Sequence, residues 1–453
     1  GQGREFLRSG TVGFASALIA ARGRGGTPAA PAQAPATTRG AVEEVRVAAV
    51  GCGRQMECLF NASFAIPGVR YEAICDIWPY NLRATRGRMQ RLGHSPSAHT
   101  DFDELLSAAS DRGVQAVIVA TPDVWHSPFT VAALRAGFHV YCEKMMSNTV
   151  GGARAMVRAM RETGRLCQIG HQRRSNPEYR YAKERLLADP GVLGRIVNAT
   201  AQWNRSVVNS APIVCADRIR LDPAVLAKHG YASMEQFLNW RLFRKYSGGP
   251  VSDLGAHQID IFSWLLGTRP ASVVASGGVD YFRDREWYDN VMAIYEYAGP
   301  AGRARAYYQV LTTTSAGGGY SETFMGDLGT LRVSEMPGVS CVYREPHVEA
   351  KDWAGRRLLI PRAEEDLIPG TIDTIALLDL RASRNQSAHD LPVRLTVPPH
   401  RPHLENFFAA VRGGAALNCP ADEAFASEAA VFKVNESVAA GRKLEFTPAD
   451  FEA

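Results

Sequence analysis

The run Val45-Arg46-Val47-Ala48-Ala49-Val50 is mostly apolar and ends directly in Gly51-Cys52-Gly53-Arg54-Gln55-Met56, after which a helix can begin. Few short stretches constrain a fold as tightly. A strand, a glycine turn and a helix in this order aim backbone N–H groups at one spot from a helix N-terminus, and that spot suits a pyrophosphate. A second strand, Tyr71–Cys75, ends in Asp76, 23 residues beyond Gly53. A carboxylate there accepts hydrogen bonds from the ribose hydroxyls of a dinucleotide. Met56 stands where a third glycine would complete the fingerprint. Gly51, Gly53, Arg54, Gln55 and Asp76 are therefore the first candidate cofactor residues. Asp76 repels a 2′-phosphate, and Ile77 and Trp78 follow it rather than an arginine, so NAD is expected. Arg83 is close enough in sequence to leave NADP open.

The pattern continues with a helix over Asp103–Ala109, a strand over Val114–Ala120, the stop Thr121-Pro122-Asp123, a helix over Ser127–Ala136 and a strand over His139–Cys142 that ends in Glu143-Lys144. Alternation of this kind implies right-handed crossovers and a parallel sheet with its ligand at the carboxyl ends of the strands. Thr121, Pro122, Trp125, His126, Glu143 and Lys144 then fall at the cofactor edge. After a linking helix over Gly151–Thr163, the strand Leu166–Gly170 leads to His171 and Arg174. Further on, Asn239-Trp240-Arg241 precedes Asp253, and an amphipathic helix carries His257 towards Gly267. Asp253 and His257 are four apart, one helical turn, so both can point into one cleft. Asp253 is also well placed to cap that helix. Arg174, Trp203, Trp240 and Arg241 are candidate sugar contacts, since aromatic faces stack on sugar rings and guanidinium groups bond to hydroxyls.

Alternating stretches at Ile196–Trp203, Ala271–Tyr281, Val291–Tyr297 and Arg303–Thr313 read as strands of a second sheet. Residues 342–397, rich in charge and proline, read as loops or an insertion. His403–Gly413 and Glu423–Gly441 read as closing helices. The chain of 453 residues is 46% apolar and 21% charged, an ordinary globular balance with room for two or three domains. Its formal charge is only +5 and its basic residues are scattered, so no basic stripe points to nucleic acid. The eight cysteines show neither a Cys-x-x-Cys pair nor zinc-like histidine spacing, so no metal site is expected and buried, reduced thiols are.

Residues 1–43 stand apart as a leader and an Ala/Pro/Gly-rich linker. The apolar run Thr11–Ala21 is too short to span a bilayer, which takes about 20 residues, and suits the core of an export signal. Arg4-Glu5-Phe6-Leu7-Arg8 before it resembles a twin-arginine signal with Gly3 in place of the first arginine, and Ala32-Gln33-Ala34 offers a cleavage site. The expected destination is the periplasm or the exterior, with the cytoplasm if the segment is only a disordered tail.

The series Gly51-x-Gly53, Asp76, Thr121-Pro122-x-x-x-His126, Cys142-Glu143-Lys144 and Asp253-Leu254-Gly255-Ala256-His257 resembles the Gfo/Idh/MocA family of nicotinamide-dependent sugar and polyol oxidoreductases, from about Val45 to Phe446. One departure is Met145, where the family carries proline after Glu-Lys. The resemblance implies an α/β chain with an N-terminal Rossmann domain over 44–165 and a C-terminal α+β domain over 166–453. The second domain would hold one open, mostly antiparallel sheet, whose outer face commonly builds a dimer or tetramer. It also implies that Lys144, Asp253 and His257 gather around a substrate hydroxyl beside the nicotinamide. In that arrangement His257 is the general acid/base, Lys144 polarises the reacting oxygen and Asp253 orients Lys144 or a neighbouring hydroxyl. Lysine loses its charge readily when buried, so Lys144 is an alternative base. The substrate would be a sugar, polyol or glycoside. A second reaction class, glycoside cleavage through transient oxidation with no net redox change, needs an additional base, for which His171, Tyr179 and Glu178 are candidates. A non-catalytic dinucleotide sensor is a third reading, and it would not need Lys144, Asp253 and His257 together.

Overall fold

The computed structural model describes residues 43–299, 302–354, 356–362 and 386–453, so the leader-like segment lies outside the described residues except for its last one. Strands β1 (Val45–Val50), β2 (Val69–Cys75), β3 (Ser97–His99), β4 (Ala116–Val119), β5 (His139–Cys142) and β6 (Cys167–Ile169) form a parallel sheet in the order β3-β2-β1-β4-β5-β6. Alternation along β1 shows how it is covered. Val45, Val47 and Ala49 pack with α1 (Arg54–Ser63) and α2 (Pro79–Arg91). Ala48 and Val50 pack with α3 (Phe102–Asp111), α4 (Asp123–Arg135) and α5 (Val150–Thr163). Strand order reverses between β1 and β4, which opens a crevice at their carboxyl ends.

Cys167–Ile169, assigned to the second half from sequence, hydrogen-bonds to β5 and is the sixth strand of this first sheet. The second sheet has ten strands: β7 (Ile196–Asn204), β8 (Pro270–Gly278), β9 (Asn290–Gly299), β10 (Gly302–Leu311), β11 (Tyr320–Gly326), β12 (Gly329–Val333), β13 (Cys341–Arg344), β14 (Ile360–Pro361), β15 (Ser387–Asp390) and β16 (Leu444–Glu445). Their order is β14-β15-β13-β12-β11-β7-β10-β9-β8-β16, antiparallel except where β7 meets β10. The region read as loops from 342 onward therefore contributes three short strands. One face of the sheet packs Tyr295, Tyr297, Tyr308 and Phe324 against α6 (Ala256–Leu266) and the carboxyl half of α8 (Ala421–Ala440).

The C-terminal segment ties the two sheets together. Helix α7 (Arg401–Val411) places Leu404, Phe407 and Phe408 in the core beside β1, on the face that α1 covers. His403 on α7 is fully buried, and burial lowers its pKa to about 3, so the ring is neutral. A neutral imidazole has one donor and one acceptor. Nε2 donates to Ile169 O at 2.8 Å and Nδ1 accepts from Ser175 Oγ at 2.6 Å. Phe425 of α8 then packs on the first sheet, while Val431 and Val434 pack on the second. All eight cysteines are free, seven of them buried, and Cys58 departs from the expectation by being exposed. Among the described residues no helix is long and apolar enough to cross a membrane.

Candidate active site

The glycine turn at the end of β1 is built by two different constraints. Gly51 has φ +86°, and a Cβ there would lie 2.6 Å from the carbonyl oxygen of Ala120 at the end of β4. Only glycine fits. Gly53 has φ −81° and caps α1 without any side-chain hydrogen bond, and a Cβ on it would meet nothing closer than Asn81 Nδ2 at 4.0 Å. The protein does not crowd that position, which faces the uncapped N–H groups of Arg54, Gln55 and Met56 at the start of α1. Gln55 lies 3.1 Å from the ring of His400, which precedes α7. Asp76 at the end of β2 accepts from the backbone N–H of Cys52 and of Trp78, each at 2.7 Å, and from Asn81 Nδ2 at 3.4 Å. Burial raises its pKa to about 6 against the pull of those donors. An uncrowded turn, a helix N-terminus and an acid on the next strand fit a dinucleotide.

At the end of β4, Thr121 keeps a buried, unpartnered Oγ1 and Pro122 precedes α4. The helix begins at Asp123, four residues earlier than the sequence suggests, so Trp125 and His126 lie in its first turn. Trp125 stacks on Phe129 with ring centroids 5.3 Å apart. His126 was assigned to the cofactor, but its ring lies between two carbonyls, Thr121 O at 2.7 Å and Met145 O at 2.6 Å, and when neutral it donates to one of them. The ring instead ties the β4 edge to the β5 edge, and burial lowers its pKa to about 4.

Glu143 and Lys144 follow β5. Glu143 is buried with Tyr141 Oη at 3.4 Å, and a Cβ on Gly170 would fall 2.8 Å from its carboxylate. The Lys144–Met145 peptide bond is cis. Lys144 Nζ donates to the carbonyl of Asp253 at 2.5 Å and lies 3.9 Å from its carboxylate. Asp253 sits in a π-helical turn, Val251–Gly255, that runs into α6, so its side chain does not cap the helix. Such turns are frequent at functional sites. Arg241 Nε donates to Asp253 Oδ1 at 2.9 Å, and Arg205 Nη1 lies 3.9 Å from Oδ2. Burial alone would raise the pKa of Asp253, but Arg241, Lys144 and Arg205 hold it well below the carboxylate range.

His257, on the first turn of α6, is buried with Nδ1 unpartnered. Its ring is 6.1 Å from Trp203 and 6.1 Å from His171. Burial, then the charges of Lys144 and Arg173, push its pKa well down, so the imidazole is neutral. Lys144, Asp253 and His257, drawn from both halves of the chain, thus come together.

The other expected substrate contacts separate. Trp203 stacks on Tyr320 at 4.3 Å and lines the site. Trp240 is buried beneath Arg241, whose guanidinium lies 4.2 Å above its ring, and serves as a shelf for that arginine. Arg174 turns away. Its guanidinium grips Asp260 at 2.7 to 3.2 Å and reaches Glu423 at 2.7 Å, so it braces α6 against α8. Of the additional bases, Tyr179 donates to Glu322 at 2.5 Å within a buried cluster that includes Arg173, and Glu178 accepts from the N–H of Leu395 at 3.1 Å. His171 alone has both ring nitrogens buried and unpartnered, 3.8 Å from Asp260 and 3.9 Å from Glu428.

Two site residues escaped the sequence reading. Asp123 is buried, and burial raises its pKa although Lys144 and Arg241 oppose this. Its place directly after Thr121-Pro122 was the available signal. Arg205, just past β7, had none, because all but seven of the 51 basic residues are arginine.

A doubly wound sheet with a dinucleotide turn, joined to a lysine, aspartate and histidine at its carboxyl edge, defines a nicotinamide-dependent oxidoreductase. A family model described as "Oxidoreductase family, NAD-binding Rossmann fold" matches residues 45–171, and its companion "Oxidoreductase family, C-terminal alpha/beta domain" matches 223–446. The chain belongs to this family, Gfo/Idh/MocA, and its cofactor is NAD. It is 26% identical over 268 residues to scyllo-inositol 2-dehydrogenase (NAD(+)) of Bacillus subtilis (strain 168), a match over 58% of this chain and 67% of that protein. It is 31% identical over 177 residues to 1,5-anhydro-D-fructose reductase of Ensifer adhaerens, covering 39% of this chain and 44% of that protein. Several other curated relatives are matched over 40% to 69% of their length. The solved structure of a levoglucosan dehydrogenase in complex with NADH superposes with a TM-score of 0.66 at 16% identity, over 89% of this chain and 100% of that one, and shows the shared fold.

Proposed function

We propose that the protein moves a hydride between nicotinamide and a hydroxyl-bearing carbon of a sugar, polyol or glycoside. The observation that carries this reading is the meeting of Lys144, Asp253 and His257 at the carboxyl edge of the first sheet. The names of the inositol and anhydrofructose relatives support the substrate class. Bound NAD⁺ supplies the hydride acceptor. The chain's own residues then have a proton and an alkoxide-like oxygen to manage. The neutral ring of His257 takes the hydroxyl proton. Lys144, whose partners at Asp253 are both acceptors, presents a donor to the reacting oxygen. Asp253 fixes Lys144 through its carbonyl and Arg241 through its carboxylate. Lys144→Ala should abolish turnover of sugars while the purified variant still binds NAD. Undiminished turnover in that variant would remove the assignment.

The paired free nitrogens of His171, 6.1 Å from His257 by ring centroids, favour a second reading in which a further base lets a glycoside be cleaved with no net redox change. Incubation with an aryl glycoside and no added cofactor separates the two. Release of the aryl group without NADH accumulation selects the second. Two finer readings accompany either chemistry. The bare outer face of the second sheet supports a homodimer or homotetramer. The Arg-x-Phe-Leu-Arg motif and apolar run within residues 1–43 support export of the folded protein to the periplasm with its cofactor aboard. N-terminal sequencing of the protein recovered from that compartment tests this.

A further inference from the structure

We propose that the substrate carries a carboxylate, as a uronate or other sugar acid does, and that Arg205 and Arg241 seat it beside Lys144. The inference rests on the sugar oxidoreductase reading and adds the charge of the substrate. Three cations converge on one carboxylate. Arg241 reaches Asp253 Oδ1 at 2.9 Å, Lys144 lies 3.9 Å from the same oxygen, and Arg205 approaches Oδ2 at 3.9 Å. Asp253 is held ionised by them and returns one negative charge. Burial pushes the pKa of Asp123, the other carboxyl that feels Lys144 and Arg241, upward. Three cations thus converge on the one carboxylate of Asp253 at the mouth of the site.

Solvated surface arginines often mean nothing, but these two are mounted. Arg241 lies over Trp240 at 4.2 Å and Arg205 over Trp203 at 5.3 Å, so each guanidinium rests against an indole from a different element. A cation held over an aromatic face keeps its N–H donors free. Among the described residues, the Arg205 guanidinium makes no hydrogen bond, and Arg241 uses only Nε. Asp253 takes only the Nε of Arg241, and Arg205 stays 3.9 Å from its Oδ2, beyond hydrogen-bond reach. Like charges brought together in a partly enclosed cleft repel, and a ligand anion would relieve the repulsion. The planar forks with free edges match a carboxylate. The dinucleotide does not supply the anion, since its pyrophosphate belongs at the N-terminus of α1 and the oxidised nicotinamide ring is itself cationic.

The test compares matched pairs on the NAD-loaded protein: D-glucuronate against D-glucose and D-galacturonate against D-galactose, with D-glucose 6-phosphate as the phosphate arm. Turnover is read at the reduced-nicotinamide band and binding by quenching of bound NADH fluorescence. The acid of a pair should be favoured about 10- to 100-fold, the range expected for hydrogen bonds between charged groups. Arg205→Gln should collapse that preference, and Arg205→Lys should restore only part of it, because the charge returns without the fork. Equal use of neutral and acidic sugars overturns the inference and leaves the oxidoreductase reading standing. Acids that bind in preference but are never oxidised support the inference and defeat that reading. Preference for the phosphate, or failure of every acid to turn over or quench, overturns it as well.

Discussion

Gly51 and Gly53 are two positions apart, yet substitution should affect different properties. Alanine at 51 must hold φ near +86° and push against Ala120 O, a combination of backbone strain and steric clash that costs at least about 1 to 2 kcal/mol. Gly51→Ala should lower the thermal midpoint of the cofactor-free protein. Gly53→Ala should leave that midpoint nearly unchanged and weaken NAD binding, because its methyl group points only at the space a pyrophosphate would take. Equal thermal losses in both variants would contradict this division. Asp76 gives a pH signature at the same edge. Its pKa is raised from about 3.8 to about 6 in the folded chain, so stability from this group is fully present below 3.8 and is lost as pH rises through 6. Ribose hydroxyls donate to the ionised carboxylate, so NAD affinity should run the opposite way and strengthen as pH rises through about 6. Titration calorimetry at several pH values would show this, and Asp76→Asn should flatten it. These residues were legible because strand ends announce themselves locally. Arg174 was misread for the complementary reason: its partner Asp260 is 86 residues away, and nothing near Arg174 signals that its fork is taken.

Elements were legible where their period was long enough to see. Strands β1, β2, β4 and β5 and helices α3 and α5 follow from apolar runs and alternation, whereas β11 and β12 went unread and β13 to β15 fell in a stretch taken for loops. β12 to β15 have only two to five residues, too few positions for alternation to show, and the seven of β11 (Tyr320–Gly326) do not alternate cleanly. The turn holding Asp253 illustrates a different limit. Spacing of four residues suggested a regular helical turn, but the wider π turn aims Asp253 at Arg241 and leaves its carbonyl to Lys144. The brace behind this turn is open to test. Arg174 joins the segment after β6 to Asp260 on α6 and Glu423 on α8, and Ser427 Oγ adds a bond to Asp260 at 2.7 Å. Removing one partner of a buried ion pair costs about 3 to 5 kcal/mol because the other is left uncompensated. Arg174→Met should therefore lower the denaturation midpoint sharply while the folded fraction keeps its KM for sugar. A raised KM with unchanged stability would return Arg174 to the substrate.

At the scale of the whole molecule, the two faces of the second sheet are unlike. One is packed by α6 and α8. On the other, register places Val274 opposite Ile294 and Ile294 opposite Tyr307, with Met292 one step further along β9, so the outward side chains form a row across three strands. Val274, Met292 and Ile294 are each about 40% exposed, and among the described residues no helix covers them. Arg305 and Glu296 pair at the edge of the row at 3.5 Å. An apolar centre with a charged rim has the anatomy of a protein interface, and a contiguous exposed patch of this kind on a sheet is seldom left bare. A second copy of the chain presents the same row, and a two-fold axis through it would pair the patch with itself. The protein should therefore sediment as a dimer or a larger even assembly at micromolar concentration. Ile294→Glu would bury two carboxylates in the centre of a self-paired face, at several kcal/mol, and should shift the protein to monomer with its circular dichroism unchanged. A wild-type monomer at that concentration would overturn the self-pairing of this face.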